Sequence, residues 1–277
     1  MRISMCHYSL HRTWAREGWS LGKLTDYVAS LGVGGIDFHT RLIPSGTTGA
    51  ELRRTVADAG LVLTGVSLSN NFNAPDAGER QRQVAQVQTW IRLAADAGAP
   101  VSRIFGGHLA DRSDAAARSE GMRFILDALA AVTRTAEEHG VVLALENHGG
   151  LPCTAAEQTR VIESIGSDHL RATIDVGNYM QCGEEGHEAA RAVAPYAAYV
   201  HFKDFRKADD GSVPWGWRTE PCTVGDGDVD HAACLRALRD AGYDGSVAIE
   251  YEGTEDELTG VPRSVEFTRR VMEEVDR

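Results

Sequence analysis

The sequence is poor in cysteine, poor in aromatic residues and short of positive charge, and each shortage removes a class of function. Its five cysteines, Cys6, Cys153, Cys182, Cys222 and Cys234, form no CxxC pair. That excludes a zinc ribbon or a thioredoxin-type redox motif, and reduced thiols are expected. Lys and Arg total 28 against 40 Asp and Glu, a formal charge of −12 that repels the phosphates of a polynucleotide. No nucleic-acid partner is expected. No apolar run approaches the roughly 20 residues that span a bilayer, so no membrane partner is expected. The segment Met1-Arg2-Ile3-Ser4-Met5-Cys6 lacks the long apolar stretch of a signal peptide, and the reading is a cytoplasmic protein. Linkers and low-complexity stretches are also missing, so residues 1–277 are read as a single domain.

What is present is a repeat of short β-rich runs and longer helical segments. Eight candidate strands follow one another: Arg2 to Cys6, Gly35 to Phe38, Val62 to Val66, Val101 to Phe105, Val142 to Glu146, Ala172 to Asp175, Tyr199 to Lys203 and Val247 to Tyr251. Between them, Val84, Val87, Ile91 and Ala94 share one helical face, as do Met122, Ile125, Leu129, Val132 and Ala136. Glycines at Gly60, Gly98, Gly140 and Gly242 mark helix ends before the next strand. Strands alternating with helices give a parallel sheet, and eight strands close it. The expected fold class is α/β, a single (β/α)8 TIM barrel, whose usual size of about 250 residues fits a chain of 277. The one long unassigned stretch, Phe205 to Val229, would lie over the C-terminal face as a lid or substrate wall.

Four metal-ligating residue types end or interrupt apolar runs: Glu146 in Leu143-Ala144-Leu145-Glu146, Asp175 in Thr173-Ile174-Asp175, His201 in Tyr199-Val200-His201, and Glu250 in Ala248-Ile249-Glu250. A charge at the end of a buried strand needs a partner. The spacings of 29, 26 and 49 residues each fit one βα unit, the last enlarged by the long loop, which puts the four on consecutive strands. Three carboxylates and one imidazole suit one divalent ion, with Mn²⁺ first and Mg²⁺, Co²⁺ or Zn²⁺ as alternatives.

At Leu145-Glu146-Asn147-His148, Ile174-Asp175-Val176-Gly177-Asn178, Val200-His201-Phe202-Lys203-Asp204 and Ile249-Glu250 the chain resembles the xylose-isomerase-like TIM-barrel superfamily of sugar phosphate isomerases and epimerases. The resemblance covers essentially the whole chain. It implies the same four metal ligands, an enediolate formed by proton transfer beside a carbonyl, and Glu146 and Glu250 as the acid and base pair. Where ketose epimerases carry a histidine three residues after the aspartate, this chain has Asn178. The resemblance also includes inosose and dehydroshikimate dehydratases, so a lyase is the alternative. An endonuclease IV type nuclease and a non-catalytic sugar-binding barrel are less favoured.

His148 and Lys203 each follow a ligand by two residues and are further catalytic candidates. His7, His39, Asn70 and His108 follow the first four strands and are candidate contacts for a polyol, with Asn178, Arg218 and Trp215. Trp14 and Trp217 are candidates for stacking on a sugar ring. The expected substrate is a small, unphosphorylated sugar or polyol, because no glycine-rich phosphate loop follows the last two strands. Exposed tryptophans such as Trp215 and Trp217 would mark a homo-oligomer interface.

Overall fold

A computed structural model describes residues 1–208, 211–213 and 216–277. Eight strands, β1 (Arg2–Cys6), β2 (Gly35–His39), β3 (Val62–Ser67), β4 (Val101–Phe105), β5 (Val142–Glu146), β6 (Leu170–Asp175), β7 (Ala197–Phe202) and β8 (Ser246–Ile249), close into one barrel. Every neighbouring pair is parallel, including β8 with β1. The chain is therefore a single (β/α)8 barrel, as its alternation of elements predicts.

Parallel strands buried on both faces read as continuous apolar runs, which is why they stand out in the sequence. Leu143, Leu145, Ile174, Val200, Phe202, Val247 and Ile249 are all fully buried. The outer ring covers them with helical stripes: Val87, Ile91 and Ala94 on Ala77–Ala97, and Ile125, Leu129, Val132 and Ala136 on Ala115–His139. Thr48 with Glu51 and Thr154 with Glu157 close capping boxes at two helix starts. Gly98 and Gly140 end the two long helices at φ of 74° and 68°, where a Cβ would be strained. Among the described residues no helix is long and apolar enough to cross a membrane.

Three features depart from the sequence reading. The stretch after β7 is not wholly irregular: Phe205–Ala208 pairs antiparallel with Arg218–Pro221 as a ribbon. A second ribbon joins Gly107–His108 to Gly150–Leu151, where two-residue strands carry too little periodicity to be read. Cys153 and Cys182 form a disulfide, whereas Cys6, Cys222 and Cys234 are free. The expectation of reduced thiols is corrected for this pair. The two residues are 29 apart in sequence, but each lies on the connection after one of two adjacent strands, which brings their Cα atoms within 6.0 Å.

The loop after β7 is pinned by Asp204. Its Oδ1 accepts from the N–H groups of Phe205 at 2.9 Å and Val229 at 3.2 Å, and its Oδ2 from those of Gly225 at 2.8 Å and Gly227 at 3.0 Å. Gly227 is required here, since a Cβ would come within 2.2 Å of Asp204 Oδ1. Replacing Asp204 by Ala strands four donors around one carboxylate position. Urea unfolding should show a loss of about 3–5 kcal/mol, with hydrogen-exchange protection lost at Gly225, Gly227 and Val229.

Candidate functional site

The C-terminal rim of the barrel gathers ionisable side chains that a folded interior rarely accepts. Glu146 ends β5 and Asp175 ends β6; His201 lies within β7 and Glu250 directly follows β8. The register sets Asp175 beside His201 and His201 beside Ala248, two residues before Glu250. One ligand atom from each of the four lies within 4.8 Å of all the others, and all four residues are buried. His201 Nδ1 stands 3.4 Å from Glu250, 3.7 Å from Glu146 and 3.9 Å from Asp175.

The backbone around these groups is fixed by their neighbours. Asn147 exchanges two hydrogen bonds with the main chain of Asp175. The N–H groups of Gly177 and Asn178 both donate to Asp175 Oδ1 at 2.9 Å, which turns Oδ2 toward the cluster. Asn178 Nδ2 donates to Glu146 Oε1 at 3.1 Å. Gln158 donates to the carbonyls of Leu145 and Thr173, tying β5 to β6 just below the rim.

Two cations balance part of the charge. Arg103, buried on β4, holds Nε 3.1 Å from Glu146 Oε2 without hydrogen-bond alignment. Lys203 Nζ lies 2.7 Å from Glu250, 3.3 Å from Glu252 and 3.4 Å from Asp175. Burial opposes ionisation of Glu146, yet Arg103 and His201 outweigh it and hold its pKa at about 2. Burial likewise disfavours the Glu250 anion, and Lys203 with His201 pulls its pKa well below the usual range. Asp175 goes the other way, pushed up to about 7 because burial wins over Lys203. Burial disfavours the His201 cation, but Glu250 and Glu146 raise its pKa to about 10.

The donor set fits a divalent metal. Glu146 Oε2, Asp175 Oδ2, Glu250 Oε2 and His201 Nδ1 are buried without a hydrogen-bond partner. Ion pairs to Arg103 and Lys203 compensate these carboxylates only in part, and a cation held by one ligand atom from each of the four residues would complete the compensation. Hard carboxylate oxygens with one imidazole suit Mg²⁺, Mn²⁺ or Co²⁺.

The remaining candidates separate by position. Lys203 joins the cluster. His148 does not continue its strand, because the chain turns with the His148 N–H donating to Glu146 O, and the ring stacks on Phe105 at 4.1 Å. Burial brings its pKa down to about 4, so it is neutral at pH 7. His7 is fully buried against Trp14 and Phe38, with neither ring nitrogen partnered. His39 lies at the end of β2, its Nδ1 accepting from the Arg41 N–H at 3.3 Å.

Asn70 spends both ends of its amide on the backbone of Phe105, which makes it a brace between β3 and β4. His108 is exposed on its ribbon. Arg218 is half-exposed and ion-pairs with Glu220. Trp217 packs beneath Lys207, whose Nζ lies 4.2 Å from the ring centroid. Trp215 lies outside the described residues.

Sequence reasoning missed Arg103 and Asp37. Both are charged residues within apolar strands, Val101–Phe105 and Gly35–His39, and both are fully or almost fully buried. The rule that singled out Glu146 and Glu250 would have found them too.

A closed parallel barrel with a buried acidic, imidazole-bearing cluster at its C-terminal rim is a (β/α)8 barrel carrying a candidate metal site where this fold places its active sites. Residues 25–271 match the family described as xylose isomerase-like TIM barrel, and the chain belongs to that family. An inosose dehydratase of Clostridium perfringens is 29% identical over 126 residues, 42% of each chain. The curated relatives are matched over about half of their own length or less. An L-ribulose 3-epimerase structure superposes with a TM-score of 0.79 at 21% identity, covering 100% of this chain and 96% of the other. A Mycobacterium smegmatis xylose isomerase-like TIM barrel protein in complex with magnesium gives 0.74 at 18% identity, with 99% and 97% covered. At these identities the structural likeness defines the fold.

His39 gives a test of the neutral, desolvated surroundings. It is 4% exposed, and burial followed by the nearby Arg103 lowers its pKa from 6.5 to about 3. The unfolded chain takes up this proton near pH 6.5 while the folded chain refuses it, so the stability is present above pH 6.5 and lost as pH falls toward 3. Urea unfolding at pH 7.5 and pH 5 should show a stability loss about 2 kcal/mol smaller in His39→Asn than in the wild type.

Proposed function

We propose that the chain is a divalent-metal-dependent sugar isomerase or epimerase, acting on an unphosphorylated keto-sugar or polyol through an enediolate. The observation that carries this reading is the convergence of Glu146, Asp175, His201 and Glu250, each with a buried atom that makes no hydrogen bond, on the barrel's C-terminal rim. These four would hold the ion, Mn²⁺ by first choice, and its charge beside a substrate carbonyl would make the neighbouring C–H acidic.

The chain's own groups then handle the proton. Glu250 is held as an anion by Lys203 at 2.7 Å, so it can accept a proton from carbon. Glu146 is its counterpart from the opposite side of the ligand set, with Oε1 steadied by Asn178 and Oε2 facing Arg103. Return of the proton to the neighbouring carbon gives isomerisation, and return to the opposite face gives epimerisation. Lys203 keeps Asp175, Glu250 and Glu252 in register and offers an N–H to a developing oxyanion. The likeness to L-ribulose 3-epimerase and inosose dehydratase lends support to a sugar or cyclitol as substrate.

A dehydratase is the second reading. It draws on the inosose dehydratase likeness and on Lys203, a buried cation in the cluster able to hydrogen-bond a departing hydroxyl. His148 is the weaker proton donor, since its depressed pKa keeps it neutral.

Glu250→Gln should lower turnover by about 10²–10⁴-fold while Mn²⁺ still binds, measured by titration against a chelating dye; undiminished turnover sinks the assignment. A screen of keto-sugars and cyclitols in deuterium oxide separates the two readings. Deuterium at carbon without loss of water marks isomerisation or epimerisation, and ultraviolet absorbance of an enone marks dehydration.

A further inference from the structure

His201 is a ring with two different faces. Its Nδ1 is turned to the three carboxylates, with Glu250 nearest at 3.4 Å. Its Nε2 is turned the opposite way, into the barrel, where Asp37 Oδ2 lies 4.0 Å away. Neither nitrogen has a hydrogen-bond partner, and Asp37 Oδ1 has none either. The gap is longer than a hydrogen bond, so Asp37 acts on the ring through charge. In a desolvated interior that attraction remains strong.

Asp37 is itself placed with care. It lies on β2, fully buried, and its Oδ2 accepts from the Tyr199 hydroxyl at 2.9 Å. Tyr199 meets Thr64 Oγ1 at 3.0 Å and packs edge-on against the His201 ring. A buried carboxylate is an expensive way to satisfy one tyrosine, for which a neutral side chain would serve. The charge has a second use.

We infer that Asp37 is a positioning residue that selects the tautomer of His201, holding the proton on Nε2 and leaving the Nδ1 lone pair free for the metal. A metal on one nitrogen takes the place of its proton and leaves the imidazole a single N–H, which a ligating histidine generally offers to a carboxylate or carbonyl. Tyr199 and Thr64 fix where that carboxylate stands. The inference rests on the metal reading given above.

Two measurements test it on the full chain. Mn²⁺ affinity, by competition with a chelating dye, should fall about 10–100-fold in Asp37→Asn with the near-ultraviolet dichroism unchanged. Failure of the wild type to bind any divalent metal would overturn the metal reading itself. Wild-type binding matched within twofold by Asp37→Asn overturns only the role of Asp37. Should that variant not fold, nitrogen-15 histidine spectra of the Zn²⁺-loaded wild type still decide. The His201 signal, assigned by its absence in His201→Gln, should show the metal on Nδ1 and the proton on Nε2, shifted as for a proton facing a carboxylate. Metal on Nε2 would refute the inference.

Discussion

The cost of burying charge governs this molecule's working end. Glu146, Asp175 and Glu250 meet at the rim of a closed barrel, all at most 5% exposed. Arg103 and Lys203, at 1% and 2% exposed, are buried with them. Removing one ion from water costs more than a single neighbour returns, so such groups persist only as a compensated set. Strands β4 to β8, or the residues directly after them, supply the members, and their parallel register brings these within reach. Their burial makes the compensation necessary, because it excludes the water that would otherwise screen these charges.

That constraint explains how much could be read in the chain. The four proposed ligands were legible because each interrupts an apolar strand, and a polar interruption at the same place in four units is hard to explain singly. The strands themselves were legible because both faces are buried. Asp37 and Arg103 obey the same rule but lie in the middle of β2 and β4 rather than at a strand end, so they do not share the strand-end placement that singled out the carboxylates. Asn178 was visible only as a departure from the histidine of related enzymes. Its contact with Glu146 depends on the 3-10 turn Asn178–Cys182, which no periodicity announces.

At other positions the local backbone, which the sequence does not announce, decides where a residue following a strand lies. Asn70 follows β3 but turns its amide onto the Phe105 backbone. His108 follows β4 but lies on a two-residue ribbon paired with Gly150, exposed to solvent. The expectation for His148 assumed an extended chain beyond Glu146, whereas the backbone turns at once. Which way a loop residue points is set by local hydrogen bonds between distant segments. Those contacts leave no trace in the order of residues.

The side chain of Asn147 behaves as a peptide unit added past the end of a strand. Its amide gives and takes one hydrogen bond with the Asp175 backbone, as the next rung of the β5–β6 ladder would. Below it, Gln158 clamps the same two strands. Splaying Glu146 away from Asp175 therefore means breaking bonds beyond those of the sheet, and this half of the pocket is a rigid jaw. Across the cluster the Ser9 hydroxyl does the corresponding work for Glu250, donating to Ile249 O at 2.8 Å and accepting from the Tyr251 N–H at 2.8 Å, so the backbone on both sides of this carboxylate is tied to the turn after β1.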